Sequence, residues 1–218
     1  VADVEGYDLG GCDISVNQVR EQDWANEWKK YYKPTHIGRS LVGRPSWEAY
    51  QPREGERVIE VDPGMAFGTG IHETTRMCLI LLEKYLKQGD ACIDIGCGTA
   101  ILGIAAALLG GSEVLAIDFD PVAVEAARSN IERNGVQDRV RAMQGDLLHG
   151  VAAMPSDILL VNIVADVIIG LMPGLDPFLK EDGVVIASGI IRERADEVRD
   201  AIDRAGYEVV EELNMGEW

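Results

Sequence analysis

Six consecutive residues, Asp94-Ile95-Gly96-Cys97-Gly98-Thr99, have the types and spacing to hold a ligand against bare backbone. They follow a short apolar run, Ala91-Cys92-Ile93, and lead into a small-residue stretch from Ala100 to Leu109. A strand that ends at an acid, turns through glycines and opens a helix exposes backbone N–H groups, because glycine lacks the Cβ that would block close approach. A dinucleotide fingerprint needs a third glycine three residues after the second, and that place holds Ile101. The turn, with Asp94, Gly96 and Gly98 as its candidate ligand-binding residues, therefore predicts a nucleoside ligand without a pyrophosphate. Ile101 disfavours a nicotinamide dehydrogenase.

Other positions extend the candidate site. Asp118 ends the next strand-like run, 22 residues after Gly96, where an acid can accept both ribose hydroxyls. Asp120-Pro121 supplies the cap of the following helix, which leaves Asp118 available, and Phe119 can lie against an adenine face. Asp146 follows the strand after that and can accept from an adenine amino group or remain a solvated turn acid. Asn162 closes an apolar run, a costly place for an amide unless it is hydrogen-bonded, and its oxygen can accept from an incoming amine.

The segment Asp62 to Thr75 carries three glycines and ends in polar residues that open a helix. It is expected to close over a ligand, with Thr74 or Thr75 as the helix cap. His72 within it is a candidate proton acceptor. The three histidines are too widely spaced for a zinc site, and Cys12, Cys78, Cys92 and Cys97 form no CxxC pair, so reduced thiols are expected.

These residues need a scaffold, and the pattern around them supplies one. Strand-like runs fall at 58–61, 91–95, 113–118, 140–144, 158–163, 183–188 and 207–213, with helical patterns over 75–86, 100–109, 121–134, 165–172 and 192–205. That alternation predicts a Rossmann-like α/β fold, a mostly parallel twisted sheet with helices on both faces, whose ligands sit outside the carboxyl ends of the strands. Residues 1–57 read instead as an irregular linker with prolines at 34, 45 and 52, preceded by a helix over Gln22–Tyr32 in which Trp24 and Trp28 share a face. Residues 58–218 read as the catalytic domain. Val1 in place of Met leads to the expectation of an upstream part, and the end at Trp218 to that of a lacking final strand.

At 218 residues and 47% hydrophobic content the chain can build one sizeable core. It has no apolar run of membrane-spanning length and no leader-like start, so a cytoplasmic protein without membrane contact is expected. The net charge of −17 is uneven: residues 1–57 hold eight Lys/Arg against ten Asp/Glu, and residues 58–218 hold 12 against 27. Such a field repels nucleic acid and attracts basic partners.

The glycine turn at 94–99, the acid at Asp118 and the Asn-led strand tip together resemble class I S-adenosylmethionine-dependent methyltransferases. Asp62 to Thr75, Asn162-Ile163-Val164-Ala165 and Ser188-Gly189-Ile190-Ile191 resemble, more specifically, the ribosomal protein L11 methyltransferase (PrmA) family. The stretch from Trp24 to Gly38 is similar to that family's interdomain linker. The resemblance implies S-adenosylmethionine as cofactor, with Thr75, Gly96, Asp118 and Asn162 contacting it and Phe67, Gly68 and Thr69 covering it. It also implies a basic protein substrate, L11, methylated on lysine or N-terminal amines. Two departures stand out: Glu73 where proline is common, and Ala100 in place of glycine. By the resemblance, residues 1–57 are the linker and a remnant of the family's N-terminal recognition region, the rest of which is expected to be absent; this keeps open another protein lysine or small amine as acceptor, or an inactive cofactor-binding module.

Methyl transfer to an amine needs the neutral amine. For lysine, with a pKa of about 10.4, deprotonation near neutral pH costs about 4 kcal/mol, whereas an α-amine costs only a few tenths. Asn162 is expected to orient the amine without a dedicated strong base.

Overall fold

The computed structural model describes residues 32–62 and 72–218. The expected Gln22–Tyr32 helix (but for Tyr32), Cys12, and the loop residues Phe67, Gly68 and Thr69 lie outside the described residues. The chain divides into two compact units, Val1–Tyr32 and Lys33–Trp218, and the second contains everything that follows.

Five parallel strands form the central sheet: β4 (Ala91–Ile95), β5 (Glu113–Asp118), β6 (Val140–Gln144), β7 (Ser156–Asn162) and β8 (Leu179–Ser188). Their spatial order is β6-β5-β4-β7-β8. The chain builds outward from β4 in one direction, then returns to place β7 on its other side, so the tips of β4 and β7 diverge where the order reverses. A crevice at such a switch point is where an open α/β sheet takes its ligand.

Both faces are covered, as a parallel sheet requires. Along β4, Cys92 packs with α1 (Glu73–Tyr85), α2 (Ile101–Leu109) and α3 (Pro121–Arg133), while Ile93 and Ile95 join the opposite layer with α4 (Ala165–Leu171) and α5 (Ala195–Arg204). The period-2 alternation of strand side chains sends neighbours to opposite cores. Helix α2 has no polar side chain and is buried from Ile101 to Ala107, so its alanines allow close approach to the sheet. No helix among the described residues is long and apolar enough to cross a membrane.

The structure departs from expectation in several places. Residues 33–57 are not irregular throughout: β1 (Thr35–Ile37) pairs antiparallel with β2 (Leu41–Arg44), and β2 pairs parallel with β3 (Arg57–Glu60). This small sheet adds Ile37, Leu41 and Ile59 to the main core, so the compact unit starts at Lys33 rather than at residue 58. Its turn is clipped to α1 by Glu83, whose carboxylate accepts from the N–H groups of Arg39 (2.6 Å), Ser40 (2.7 Å) and Leu41 (3.1 Å) and from Ser40 Oγ (2.7 Å). Burial alone would raise the Glu83 carboxyl, but these four bonds hold it below its usual range.

The run 207–213 is not a strand. It stands off from β8 across a cavity of about 430 Å³ and is held by side chains, with Tyr85 and Lys84 on Glu211 and Arg199 on Glu212. Without a neighbouring backbone there is no ladder to join. The last helix also starts later than expected, because Arg192–Arg194 forms a 3₁₀ turn before α5.

Candidate active site

The tips of β4, β5 and β7 and the start of α1 enclose a cavity of about 600 Å³. The turn after β4 forms its floor. Gly96 and Cys97 both donate to Ile117 O, at 2.8 and 2.9 Å, which bends the chain sharply off β4. Gly98 N–H donates to Asp118 Oδ2 at 2.8 Å, and the other Asp118 oxygen accepts from Asp120 N–H at 2.9 Å. The acid of β5 thus ties its own tip to the glycine turn, and each carboxylate oxygen keeps a lone pair for a further donor. Ala100 follows at φ 60 and begins α2 without a side-chain cap. A left-handed alanine costs about 1–2 kcal/mol, so the departure from glycine is accommodated as strain.

Asp94 lines the cavity but is 1% exposed, and its Oδ2 accepts from Gly103 N–H at 2.9 Å. Burial pushes its carboxyl up to about 7, with the Asp118 charge adding to the rise and the Gly103 bond opposing it. It braces β4 against α2 from within. Burial raises the Cys97 thiol in the same turn, which makes it a poor nucleophile.

Phe119 projects at the rim, 72% exposed, and Asp146, also exposed, lines the same cavity with its Oδ2 3.4 Å from His149 Nδ1. Asp120 caps α3 by accepting from Val122 N–H at 2.8 Å, as the sequence predicts.

On the far side, Asn162 Nδ2 donates to Thr75 Oγ1 at 3.2 Å. Asn162 Oδ1 is buried and has no hydrogen-bond partner, alone in this among the described side-chain nitrogens and oxygens. Such an atom is expensive unless something outside the chain donates to it. Neither Thr74 nor Thr75 caps α1. That role falls to His72, whose Nδ1 accepts from Thr74 N–H at 3.3 Å and lies 2.8 Å from Thr74 Oγ1. The geometry thus gives His72 the role of helix cap. Its ring meets Trp218 edge to face, with centroids 5.2 Å apart.

Thr75, Asp94, Gly96, Gly98, Asp118, Phe119, Asp146, Asn162 and His72 therefore line one cavity. Sequence reasoning missed Trp218 and Leu147, which line it too. Leu147, at φ 52, is with Ala100 one of two described non-glycine residues at positive φ. Nothing local in the sequence marks Trp218. Its place depends on the Met215–Trp218 turn and on Arg192 N–H donating to Glu217 O at 3.0 Å.

The profile of the family "Ribosomal protein L11 methyltransferase (PrmA)" matches residues 2–218. The chain belongs to this family. It is 51% identical over 201 residues to the ribosomal protein L11 methyltransferase of Acetivibrio thermocellus, covering 92% of this chain and 64% of that protein. It is 47% identical over 213 residues to the protein of the same name from Caldanaerobacter subterraneus subsp. tengcongensis, covering 98% and 68%. The chain thus spans about two thirds of the length of these curated relatives. The crystal structure of a ribosomal protein L11 methylase from Lactobacillus delbrueckii subsp. bulgaricus superposes with a TM-score of 0.80 at 34% identity, covering 86% of this chain and 95% of that one. As a PrmA-family chain, it places the family-like segments Asn162–Ala165 and Ser188–Ile191 side by side, because Asn162 pairs with Ser188 across the β7–β8 ladder.

Proposed function

We propose that this chain is an S-adenosylmethionine-dependent protein N-methyltransferase acting on lysine and/or N-terminal amines of ribosomal protein L11. The observation that carries the reading is Asn162, a buried amide oxygen without a partner in the cavity that also holds the Asp94–Thr99 turn. The relatives' names supply the acceptor, since both are called ribosomal protein L11 methyltransferase.

The residues suit the methyl donor. The carboxylate of Asp118 offers two oxygens to a ribose, Phe119 an exposed ring to an adenine, and Asp146 an acceptor to its amino group. Gly96 and Gly98 bring backbone close, and Thr75 lines the same cavity, bonded to Asn162. Phe67, Gly68 and Thr69 would cover the site. When bound, S-adenosylmethionine supplies an electrophilic methyl group on a sulfonium.

The chain's own work is to hold a neutral amine in line with that methyl. Thr75 fixes the Asn162 amide through Nδ2, which leaves Oδ1 to accept one N–H and point the nitrogen lone pair inward. Val164 and Trp218 add apolar surface to the cavity, so an amine bound there would lose part of its water. Desolvation lowers an amine's pKa, which offsets part of the roughly 4 kcal/mol that deprotonating lysine requires. No side chain is assigned as a strong base.

Calorimetry with S-adenosylmethionine and with NAD tests the cofactor, and transfer of radiolabel from S-adenosylmethionine to purified L11 tests the substrate. Micromolar binding of the first ligand, none of the second, and label on L11 are expected. Label on a different protein and none on L11 would reject the substrate, and binding without transfer would reduce the chain to a cofactor-binding module.

A further inference from the structure

Three strand tips meet at Ile163. Its N–H donates to Ser188 O at 3.1 Å, extending the β7–β8 pairing one residue past Asn162. Gly189 then turns at φ 86 and lies directly on the Ile163 backbone. A Cβ there would stand 2.8 Å from the Ile163 carbonyl carbon and 3.1 Å from its nitrogen, and would overlap the carbonyl oxygen more deeply still. On the opposite side, Ile163 Cγ2 fills the space above Gly96, 2.7 Å from where a Cβ would sit. Both contacts are too short for any real Cβ. Positive φ alone does not explain Gly189, because asparagine also visits that region but would still place a Cβ in the Ile163 backbone.

We infer that Ile163, seated between Gly189 and Gly96, is a positioning residue that sets the separation between Asn162 at the β7 tip and the donor turn at the β4 tip. Gly189 lacks a side chain so that this seat can exist. The inference rests on the methyl-transfer reading above. Displacement at a methyl group needs the amine at near-attack distance, and a misplacement of about 1 Å can cost about 100-fold in rate. A Cβ on Gly189 forces a shift on that order in the Ile163 backbone, and Asn162 is its immediate neighbour. The Gly98–Asp118 contact, between the turn after β4 and the tip of β5, is untouched.

The test compares Gly189→Ala and Ile163→Ala with the wild-type chain. S-adenosylmethionine affinity is read by calorimetry, kcat at saturating cofactor with L11, and the thermal midpoint by calorimetric melting. Affinity should stay within about threefold for both variants. The kcat should fall about 100-fold in Gly189→Ala, where the backbone moves, and about tenfold in Ile163→Ala, where only the wedge is lost. A kcat within threefold of wild type in a folded variant overturns the assignment. A parallel loss of kcat and affinity, the mark of general structural damage, overturns it as well. If Gly189→Ala does not fold, Ile163→Ala decides by the same criteria. Wild-type turnover is measured first: no transfer overturns the functional reading and this inference with it, whereas transfer that Gly189→Ala matches overturns only the positioning role.

Discussion

Gly96 and Ala100 both take positive φ within one turn, but they answer to different neighbours. Ala100 already carries a Cβ in a buried, left-handed position. Gly96, at φ 69, faces Ile163 Cγ2 with no room for a methyl group. Gly96→Ala should lose about 2–4 kcal/mol in urea denaturation, from left-handed strain plus overpacking, and at least about tenfold in calorimetric S-adenosylmethionine affinity. Asp94 adds a pH dependence. An acid whose folded-state carboxyl is raised to about 7 holds its proton longer folded than unfolded, so the folded state binds more protons between about pH 4 and 7. Its ionisation therefore removes stability as pH rises through that window, by up to about 4 kcal/mol above it. Asp94→Asn keeps an acceptor for Gly103 N–H without ionising, and its melting temperature should fall less than that of wild type between pH 5 and 8. Parallel profiles would contradict the assignment.

At the scale of elements, the place of every strand of the central sheet was legible from its apolar residues and the turn that closes it, but the polar start of β8, residues 179–182, was not. The helices after β4 and β5 were legible for similar reasons, with Pro121 and Asp120 announcing α3. What escaped is what depends on distant partners. Strands β1 and β2 are three and four residues long and lie among prolines, and their stability comes from Glu83, 42 to 44 positions away. The run 207–213 has the residues of a strand, yet no adjacent backbone to pair with. In the site, Asp118, Asn162 and the glycine turn were readable from type and spacing, whereas the His72 cap, Trp218 and the Ile163 seat arise only when separate segments fold together. The Glu83 clip can be measured directly. Glu83→Ala strips four donors of their acceptor and should cost about 2–4 kcal/mol in chemical denaturation, while Glu83→Gln, which keeps one neutral acceptor oxygen, should cost less. Equal effects would show that the carboxylate geometry is unimportant.

For the whole molecule, the excess of acidic groups is a property of the surface rather than of any one contact. On the proposed reading, a net charge of −17 would steer a basic acceptor protein toward the chain. Raising NaCl from about 50 to 300 mM should lower kcat/KM for L11 about five- to tenfold through slower encounter, with little change in the KM for S-adenosylmethionine. A salt-independent kcat/KM would remove charge from the account of substrate capture. The central claim concerns Asn162, and the most direct measurement is single-turnover methyl transfer from saturating S-adenosylmethionine to L11 by wild type and by Asn162→Ala. The account predicts N-methylated L11 with the wild-type chain, and a variant that still binds cofactor but transfers at least about 100-fold more slowly. A variant as fast as wild type, or a wild-type chain that labels other proteins and never L11, would contradict it.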